Sequence, residues 1–444
     1  MLGCADIALR RMLPAFAAAD GIQIVAVASR DAARAAEVAG RYGCRPVTGY
    51  AHLLRLDDVD AVYVPLPAAL HATWVEAALL AGKHVLAEKP LTCEPARTRA
   101  LLALAGERSL ALMENVMFVH HPQHRAVRAL VADGAIGELR SFSAAFAVPR
   151  LPAGDIRHAP ELGGGALFDI GVYPVRAAVH FLGERLHTVA ATLHTGPGSA
   201  VETAGAALLR DEYGVSAQLT FGMDHAYRSA YELWGSEGRI TLDRAFTPPP
   251  GHRPAIHLER RGTTERIELP PADQVALTVR AFATACRSAT APDSARSATT
   301  PDSARSATAP DSARSATTPD SARSATAPDS ARSATAPDSA RSATAPEIRR
   351  SMADPDPHRF MATPDSFRTT AAPDTRRSPA APDTRRHEPA PGTGPAGLPD
   401  ARACLRQADL LDAVRRSAAP HRRPGTASQA AADDPTPYAA EGRR

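Results

Sequence analysis

The sequence lacks any apolar run long enough to cross a bilayer, which takes about 20 consecutive residues, so no membrane partner is expected. It also lacks a paired cysteine framework. Cys4, Cys44, Cys93, Cys286 and Cys404 form no Cys-x-x-Cys pair, which excludes a disulfide scaffold and suits a reducing compartment. Met1-Leu2-Gly3 does not open a secretory signal, which would carry basic and then apolar residues. A cytoplasmic location is therefore expected. A strong charge of one sign is missing as well. The formal net charge is +3, and much of the arginine lies in a low-complexity stretch. No basic stripe with interleaved aromatics is present, and that stripe is the footprint of a nucleic-acid partner, so none is expected.

A further absence concerns core-forming side chains. From Ser288 to Arg341 the nonapeptide Ser-Ala-Thr-Ala/Thr-Pro-Asp-Ser-Ala-Arg recurs without one Leu, Ile, Val or aromatic residue, and 342–346 begins another copy. Each copy balances one Asp against one Arg. Such a segment cannot bury enough apolar surface to offset the entropy of ordering it. Calcium-binding β-solenoids also repeat every nine residues, but they need Gly and regular apolar positions. Residues 288–397 are therefore expected to be a disordered insertion, and 418–444 a loose tail. The remainder, about 300 residues, suffices for two domains.

Up to residue 117, short apolar runs alternate with helical patterns. Strands are predicted at Ile22–Ala28, Ala61–Leu66, His84–Ala87 and Leu110–Glu114, and helices at Ala32–Tyr42, Ala68–Ala81 and Pro95–Ala105. This alternation predicts a doubly wound parallel sheet of Rossmann type over residues 1–117. Gly3-Cys4-Ala5-Asp6-Ile7-Ala8 reads as a Gly-x-Gly-x-x-Gly/Ala turn whose middle Gly is replaced by Ala5. Such a turn places a pyrophosphate at a helix N-terminus. About 22 residues on, where NAD-specific folds carry Asp or Glu, stand Ser29 and Arg30. A hydroxyl and a guanidinium suit a 2′-phosphate and favour NADP(H). Only Met1 and Leu2 precede Gly3, whereas a strand typically needs about five residues. The central strand is thus expected to be truncated, with an upstream start supplying the rest.

Lys89 follows the buried run His84–Ala87 and precedes Pro90, at the strand end where open α/β sheets place their chemistry. Partial desolvation is expected to lower its pKa and let it give a proton to a carbonyl near neutral pH. Beyond residue 117 the pattern changes. A helix at Gln123–Ala132 leads into runs at Leu139–Val148, Thr188–His194, Ala204–Leu209, Val215–Phe221, Tyr231–Trp234 and Arg239–Leu242. These predict an α+β domain over 118–287 with an open, mostly antiparallel sheet. His120, His121 and His124 lack a Cys or acidic partner to complete a metal site, so no metal is expected.

Gly3-Cys4-Ala5-Asp6-Ile7-Ala8, Val64-Pro65-Leu66-Pro67 with His71, and Glu88-Lys89-Pro90-Leu91 together resemble the Gfo/Idh/MocA oxidoreductases. Glu114-Asn115-Val116-Met117-Phe118, His121-Pro122 and 134–138 extend the likeness, as do Gly163–Pro174 and Gly235-Ser236-Glu237-Gly238. It covers residues 1–287, and within the family it is nearest the NDP-hexose 3-ketoreductases of deoxysugar biosynthesis. The resemblance implies that Gly3, Asp6, Ile7 and Ala8 line the pyrophosphate turn and that Ser29 and Arg30 meet the adenosine end. Pro65, Leu66 and His71 would border the dinucleotide, Glu88 and Lys89 would flank the nicotinamide ribose, and Asn115 would lie close by. Asp169 and Tyr173 fall at the second catalytic motif, and Phe118 falls on the substrate side. The implied open sheet face carries the subunit contact, so a homo-oligomer, dimer or tetramer, is expected.

Reducing a ketone needs a hydride donor over the carbonyl carbon and an acid for the developing alkoxide. Lys89 can act directly or by activating Tyr173, and Asp169 can orient either. Arg157 and Tyr227 are candidates for the diphosphate of a nucleotide-linked keto-deoxysugar. Two alternatives stand beside this expectation: a dehydrogenase of free sugars or polyols, and a non-catalytic NADP-binding regulatory protein. Helical spacing returns at 398–417, with Leu405, Ala408, Leu410, Leu411 and Val414 as its apolar stripe. This predicts the closing helix of the second domain, partnered by a helix at Val275–Arg287 whose stripe is Val279, Phe282 and Cys286. Loop closure cost grows only logarithmically with length, so a fold can carry such an insertion. Joining Arg287 to Leu398 by a short Gly/Ser linker is expected to preserve folding and to add about 2 kcal/mol of stability. Removing 398–417 as well should lower the melting temperature sharply. Comparing the melting curves of the full chain and both deletions checks this.

Overall fold

Short strands buried on both faces, separated by helices, build the first sheet. The structure is a computed structural model, and it describes residues 1–290, 398 and 400–419. The expected disorder of 291–397 and of the tail from residue 420 lies outside the described residues. The Gly3 turn leads through a wide helical turn, Ala8–Met12, into α1 (Leu13–Ala17). There follow β1 (Ala26–Ser29), α2 (Ala32–Tyr42), β2 (Arg45–Thr48), α3 (Tyr50–Leu54) and β3 (Ala61–Val64). Then come α4 (Ala68–Leu80), β4 (His84–Glu88), α5 (Pro95–Glu107) and β5 (Leu112–Asn115). β1 and β2 pair in parallel, as do β3, β4 and β5.

Met1 and Leu2 occupy the central strand position. Leu2 pairs in parallel with Ala28. Its N–H donates to Tyr63 O, Gly3 N–H donates to Ala28 O, and Ala28 N–H donates to Met1 O, each at 2.9 Å. Two residues therefore stitch β1 to β3, and the spatial order is β2, β1, Met1-Leu2, β3, β4, β5. β1 begins later than expected, because Ile22 and Ile24 pack in the approach to the strand rather than within it. β2 and α3 went unpredicted. β2 is a largely exposed strand containing Pro46, so it carries no apolar alternation.

Alternation through the parallel strands divides the core. Ala26, Ala28, Val62, Val64, Val85, Ala87 and Leu112 face one side with Leu79 and Leu101. Val27, Tyr63, Leu86, Ala111 and Met113 face the other with Met12 and Phe16. The helix expected at Val275–Arg287 is α8 (Gln274–Thr290), numbered in the chain order that follows. It corrects the sequence reading twice. Its Val275, Val279, Phe282, Ala285 and Ala289 cover the second of these faces, so it packs on the first domain, and Cys286 is only partly buried. Ser288, Ala289 and Thr290, expected to be disordered, form its last turn.

The second domain comprises α6 (Pro122–Ala132), β6 (Leu139–Ala147), α7 (Val172–Leu182) and seven further strands. These are β7 (His187–His194), β8 (Ala204–Arg210), β9 (Ser216–Gly222), β10 (Arg228–Gly235), β11 (Gly238–Asp243), β12 (Ala255–Arg260) and β13 (Thr263–Glu268). They form an eight-stranded sheet in the order β13-β12-β11-β10-β6-β9-β8-β7. β6 and β9 are parallel and every other pair is antiparallel. β12 and β13 were not predicted; β13 is a mostly exposed edge strand with little apolar signal, whereas β12 alternates buried Ile256 and Leu258 with polar residues over a run too short to stand out. α7 packs across the inner face with Phe142, Phe181, Leu219 and Phe221.

The return helix, α9 (Ala401–Ala418), belongs to both domains rather than to the second alone. Leu398 and Cys404 join the core of the first, while Leu410, Leu411 and Val414 join that of the second. Leu405, expected in the apolar stripe, is only half-buried, and Gln407 is buried in its place.

The histidines of α6 and α7 are core residues. His121 and His124 are buried, Gln123 Nε2 donates to His124 Nε2 at 3.2 Å, and His124 Nδ1 lies 3.0 Å from Tyr231 Oη. Among the described residues no group of His, Cys, Asp and Glu is arranged to hold a metal. Burial pulls His121 down to about 4 and His180 to about 3, with neighbouring positive groups adding to the effect. Burial, with His180 and His121 nearby, also drives His124 well down. The unfolded chain therefore takes up these protons first as pH falls. Stability is complete above about pH 6.5 and is lost toward pH 4, by about 1.4 kcal/mol per histidine per pH unit. Urea midpoints at pH 7 and pH 4.5 should differ accordingly, and His180→Gln should flatten the slope.

Candidate active site

The ends of β4 and of the wide helical turn Leu167–Gly171 bring the two domains' polar groups together. Lys89 Nζ donates to Asp169 Oδ1 at 2.7 Å and to the Asp169 carbonyl at 2.8 Å. Arg157 Nε donates to the other Asp169 oxygen, Oδ2, at 2.6 Å, and Arg157 Nη1 donates to Asp155. The Lys89 and Asp169 side chains are only 12% and 20% exposed. The third Lys89 N–H remains for a ligand or for Tyr173, whose ring centroid lies 5.2 Å from Nζ. Asp169 is aimed by its turn. Gly165, at φ +115°, lets Glu202 close over the turn's start, where a Cβ would come within 2.4 Å of Glu202 Oε1. Glu202 Oε1 accepts from Leu167 N–H at 3.1 Å.

The electrostatics differ from expectation. Burial alone would pull the Lys89 ammonium down, but Asp169 first, then Tyr173 and Glu88, outweigh it, and the pKa rises above the usual lysine value. Lys89 is thus firmly protonated at neutral pH rather than a lysine lowered by desolvation. Burial raises the Tyr173 phenol, and the opposing charge of Lys89 does not cancel that. Asp169 would be raised by burial, yet Lys89 and Arg157 hold its carboxyl below the usual range. Both candidate acids therefore keep their protons, and the carboxylate stays charged.

Beside this cluster Glu88 Oε1 accepts from Tyr63 Oη and from Asn115 Nδ2, each at 2.6 Å. Asn115 Oδ1 is buried without a partner. At the other end of the strand ends, Gly3 has φ +103°, a conformation side chains rarely adopt, and a Cβ there would come within 2.7 Å of Leu66 Cδ2, so a residue here would strain the backbone and push Leu66 aside; Pro65 is buried next to Leu66 in the chain. Ser29 closes β1 and its Oγ accepts from Asp31 N–H at 3.1 Å. Exposed Arg30 interacts with the Tyr50 phenol, which burial raises and Arg30 opposes. Asp6 is exposed, Ile7 half-buried and Ala8 buried at the head of the helical turn. A bare-backbone turn, an orphaned carbonyl near Glu88 and an exposed guanidinium at the far end fit a dinucleotide.

Other sequence-derived candidates fall differently. Phe118 is fully buried, with its ring centroid 6.1 Å from that of Tyr173, so it stands behind the tyrosine rather than on an open face. His71 is buried between the two loops, with Nε2 2.7 Å from Leu66 O and Nδ1 2.8 Å from Pro90 O; burial lowers its pKa, so the neutral ring donates to one of the two carbonyls. Arg157 joins the cluster through Asp169. The Tyr227 hydroxyl meets Thr247 Oγ1 at 3.1 Å, outside the Lys89–Asp169 bonds. Sequence reasoning missed Tyr63, Tyr50, Glu202, Arg176 and Gln407. The single usable signal was Gln407, a polar residue inside the apolar stripe of α9.

Comparisons with known proteins agree with this arrangement. Residues 1–116 match the oxidoreductase family with an NAD-binding Rossmann fold, and residues 124–241 match the GFO/IDH/MocA C-terminal domain. The chain is 54% identical over 287 residues to a dTDP-3,4-didehydro-2,6-dideoxy-alpha-D-glucose 3-reductase of Streptomyces antibioticus, covering 65% of this chain and 88% of the relative. It is 35% identical to a D-xylose 1-dehydrogenase (NADP(+)) of Haloferax volcanii, covering 66% of this chain and 90% of the relative. Among solved structures, KijD10, a 3-ketoreductase from Actinomadura kijaniata in complex with NADP and TDP-benzene, superposes with a TM-score of 0.64. It is 53% identical, covering 66% of this chain and 90% of that one. With a Rossmann sheet, a Lys–Asp–Tyr cluster at its strand ends and both halves matched in order, the chain belongs to the Gfo/Idh/MocA family of oxidoreductases.

Proposed function

We propose that this protein reduces the C3 keto group of a TDP-linked keto-deoxysugar with NADPH. The observation that carries it is the Lys89–Asp169–Tyr173 cluster at the mouth of a dinucleotide fold, in a chain more than half identical to such reductases. NADPH, when bound, supplies the hydride. Gly3, Asp6, Ile7 and Ala8 would hold its pyrophosphate, Ser29 and Arg30 its 2′-phosphate end, and Pro65, Leu66, Glu88 and Asn115 its nicotinamide end. Asp169 fixes the Lys89 ammonium. That ammonium and the Tyr173 phenol both carry protons at neutral pH, and an alkoxide is basic enough to take one from either. Lys89 over the Tyr173 ring also stabilises the phenolate that proton loss would leave. Related KijD10 structures include a tyrosine-to-phenylalanine variant and a lysine-to-alanine variant, each with NADP and TDP-benzene. Arg157 presents its outer guanidinium edge to the same cleft and serves the diphosphate. Exposed Val189, Leu208 and Trp234 on the eight-stranded sheet support a homo-oligomer formed through that sheet.

Binding should discriminate between cofactors. Arg30 and Ser29 favour NADPH over NADH by about 1.5–3 kcal/mol, the worth of a charge-assisted phosphate contact. Fluorescence titration of both reads this directly, and equal affinities contradict the assignment.

Turnover of NADPH with freshly generated TDP-3-keto-deoxysugar tests the activity. Lys89→Met and Tyr173→Phe should each lower kcat by about 100-fold or more with NADPH affinity nearly unchanged. Full kcat in both single variants would move the proton source elsewhere.

A further inference from the structure

The loop that carries Lys89 is held by a carboxylate the chemistry above does not use. Leu91 N–H donates to Glu114 Oε1 at 2.8 Å. The same oxygen accepts from Gln407 Nε2 at 2.8 Å, and Oε2 faces Arg176 Nη1 at 3.3 Å. Arg176 Nη1 also lies 3.4 Å from Gln407 Oε1, and its Nη2 3.6 Å from Asp400. Glu114, Arg176 and Gln407 are 7%, 3% and 1% exposed. One carboxylate thus collects a loop amide from the first domain, a guanidinium from α7 of the second and an amide from α9.

We propose that Glu114 is a positioning residue for Lys89, and that Gln407 of the return helix completes its seat. This rests on the reading of Lys89 as part of the active site. Between Lys89 and Leu91 stands only Pro90, whose ring locks φ near −65°, so a shift at Leu91 N is passed to Lys89 with little slack. Pro90 O lies 2.8 Å from the buried ring of His71 on the other side, so the loop has little room there. Lys89 has two partners on Asp169, so a small displacement of its backbone breaks a bidentate contact rather than stretching a flexible one. A merely structural ion pair would dock α7 on β5. It would have no need of a bond to Leu91 N, nor of a residue from beyond the insertion.

The sequence offers a clean readout, because Lys83 and Lys89 are its only lysines. Lys83 Nζ donates to Leu56 O, away from this loop, and serves as internal control. The full chain, Glu114→Leu and Gln407→Met are labelled briefly with acetic anhydride at pH 8.5, and the Lys89:Lys83 ratio is read by peptide mass mapping. Freed from Asp169, Lys89 should label about three-fold faster relative to Lys83, because without the carboxylate burial favours the free amine that reacts. Steady-state kcat should drop about 10- to 100-fold, with KM for NADPH within about two-fold because no cofactor contact is lost. An unchanged labelling ratio, or an unchanged kcat, in a folded variant overturns the proposal and leaves Glu114 as a domain dock. Should Glu114→Leu fail to fold, Gln407→Met, which leaves the ion pair in place, decides alone. Labelling needs no substrate, so a wild-type chain inactive on the TDP-sugar would sink the functional reading while the ratio still judges this one.

Discussion

A buried carboxylate beside a buried guanidinium is the constraint on which the rest of this structure hangs. Glu114 and Arg176 are almost wholly removed from water, and neither could stay charged there without saturating its hydrogen bonds. Satisfying Glu114 takes the end of β5, the amide of Leu91, the side chain of α7 and the side chain of Gln407. These come from both domains and from the far side of the insertion. Removing any one leaves a buried polar atom short of a partner, which costs more than the bond itself contributes. The domains are therefore docked in one arrangement, and the Lys89 loop, lying between them, inherits that arrangement.

The same geometry explains how the fold accommodates an insertion between α8 and α9. α8 ends on the first domain's sheet, while α9 reaches back across both cores. Neither helix relies on the other for burial. What α9 needs is its docking site, supplied by Leu101 and Ala105 on one side and by α7 and β7 on the other. A helix with Gln407 on its buried face has few alternative seats, because an amide buried elsewhere would lack Glu114 and Arg176.

The site itself balances opposing electrostatics. Burial acts against the charge of both Lys89 and Asp169, and their contact restores it. Tyr173 gains no bonded carboxylate, so burial prevails and the phenol holds its proton. A cation and a neutral phenol side by side form a proton-donating face, flanked by Glu88, which is itself engaged with Tyr63 and Asn115. Phe118, Phe146 and Phe246 crowd the Tyr173 ring and leave it little rotational freedom.

Much of this was legible in the chain. Apolar runs broken by helical spacing specified the parallel sheet, because strands buried on both faces must be apolar throughout. The local motifs around Gly3, Lys89 and Asp169 marked the strand-end cluster, because a turn's conformation is encoded in its own few residues. The edge strands Arg45–Thr48 and Thr263–Glu268 escaped because they are largely exposed and have little apolar period to display, and Ala255–Arg260 escaped because its period rests on Ile256 and Leu258 alone. Also illegible were the elevated proton affinities of Lys89 and Tyr173, the burial of Phe118, the strut made by His71 and the allegiance of α8. These depend on which groups meet across hundreds of residues of chain. A glutamine at position 407 has no local reason to be buried until Glu114 and Arg176 stand opposite it, and only tertiary packing brings them there.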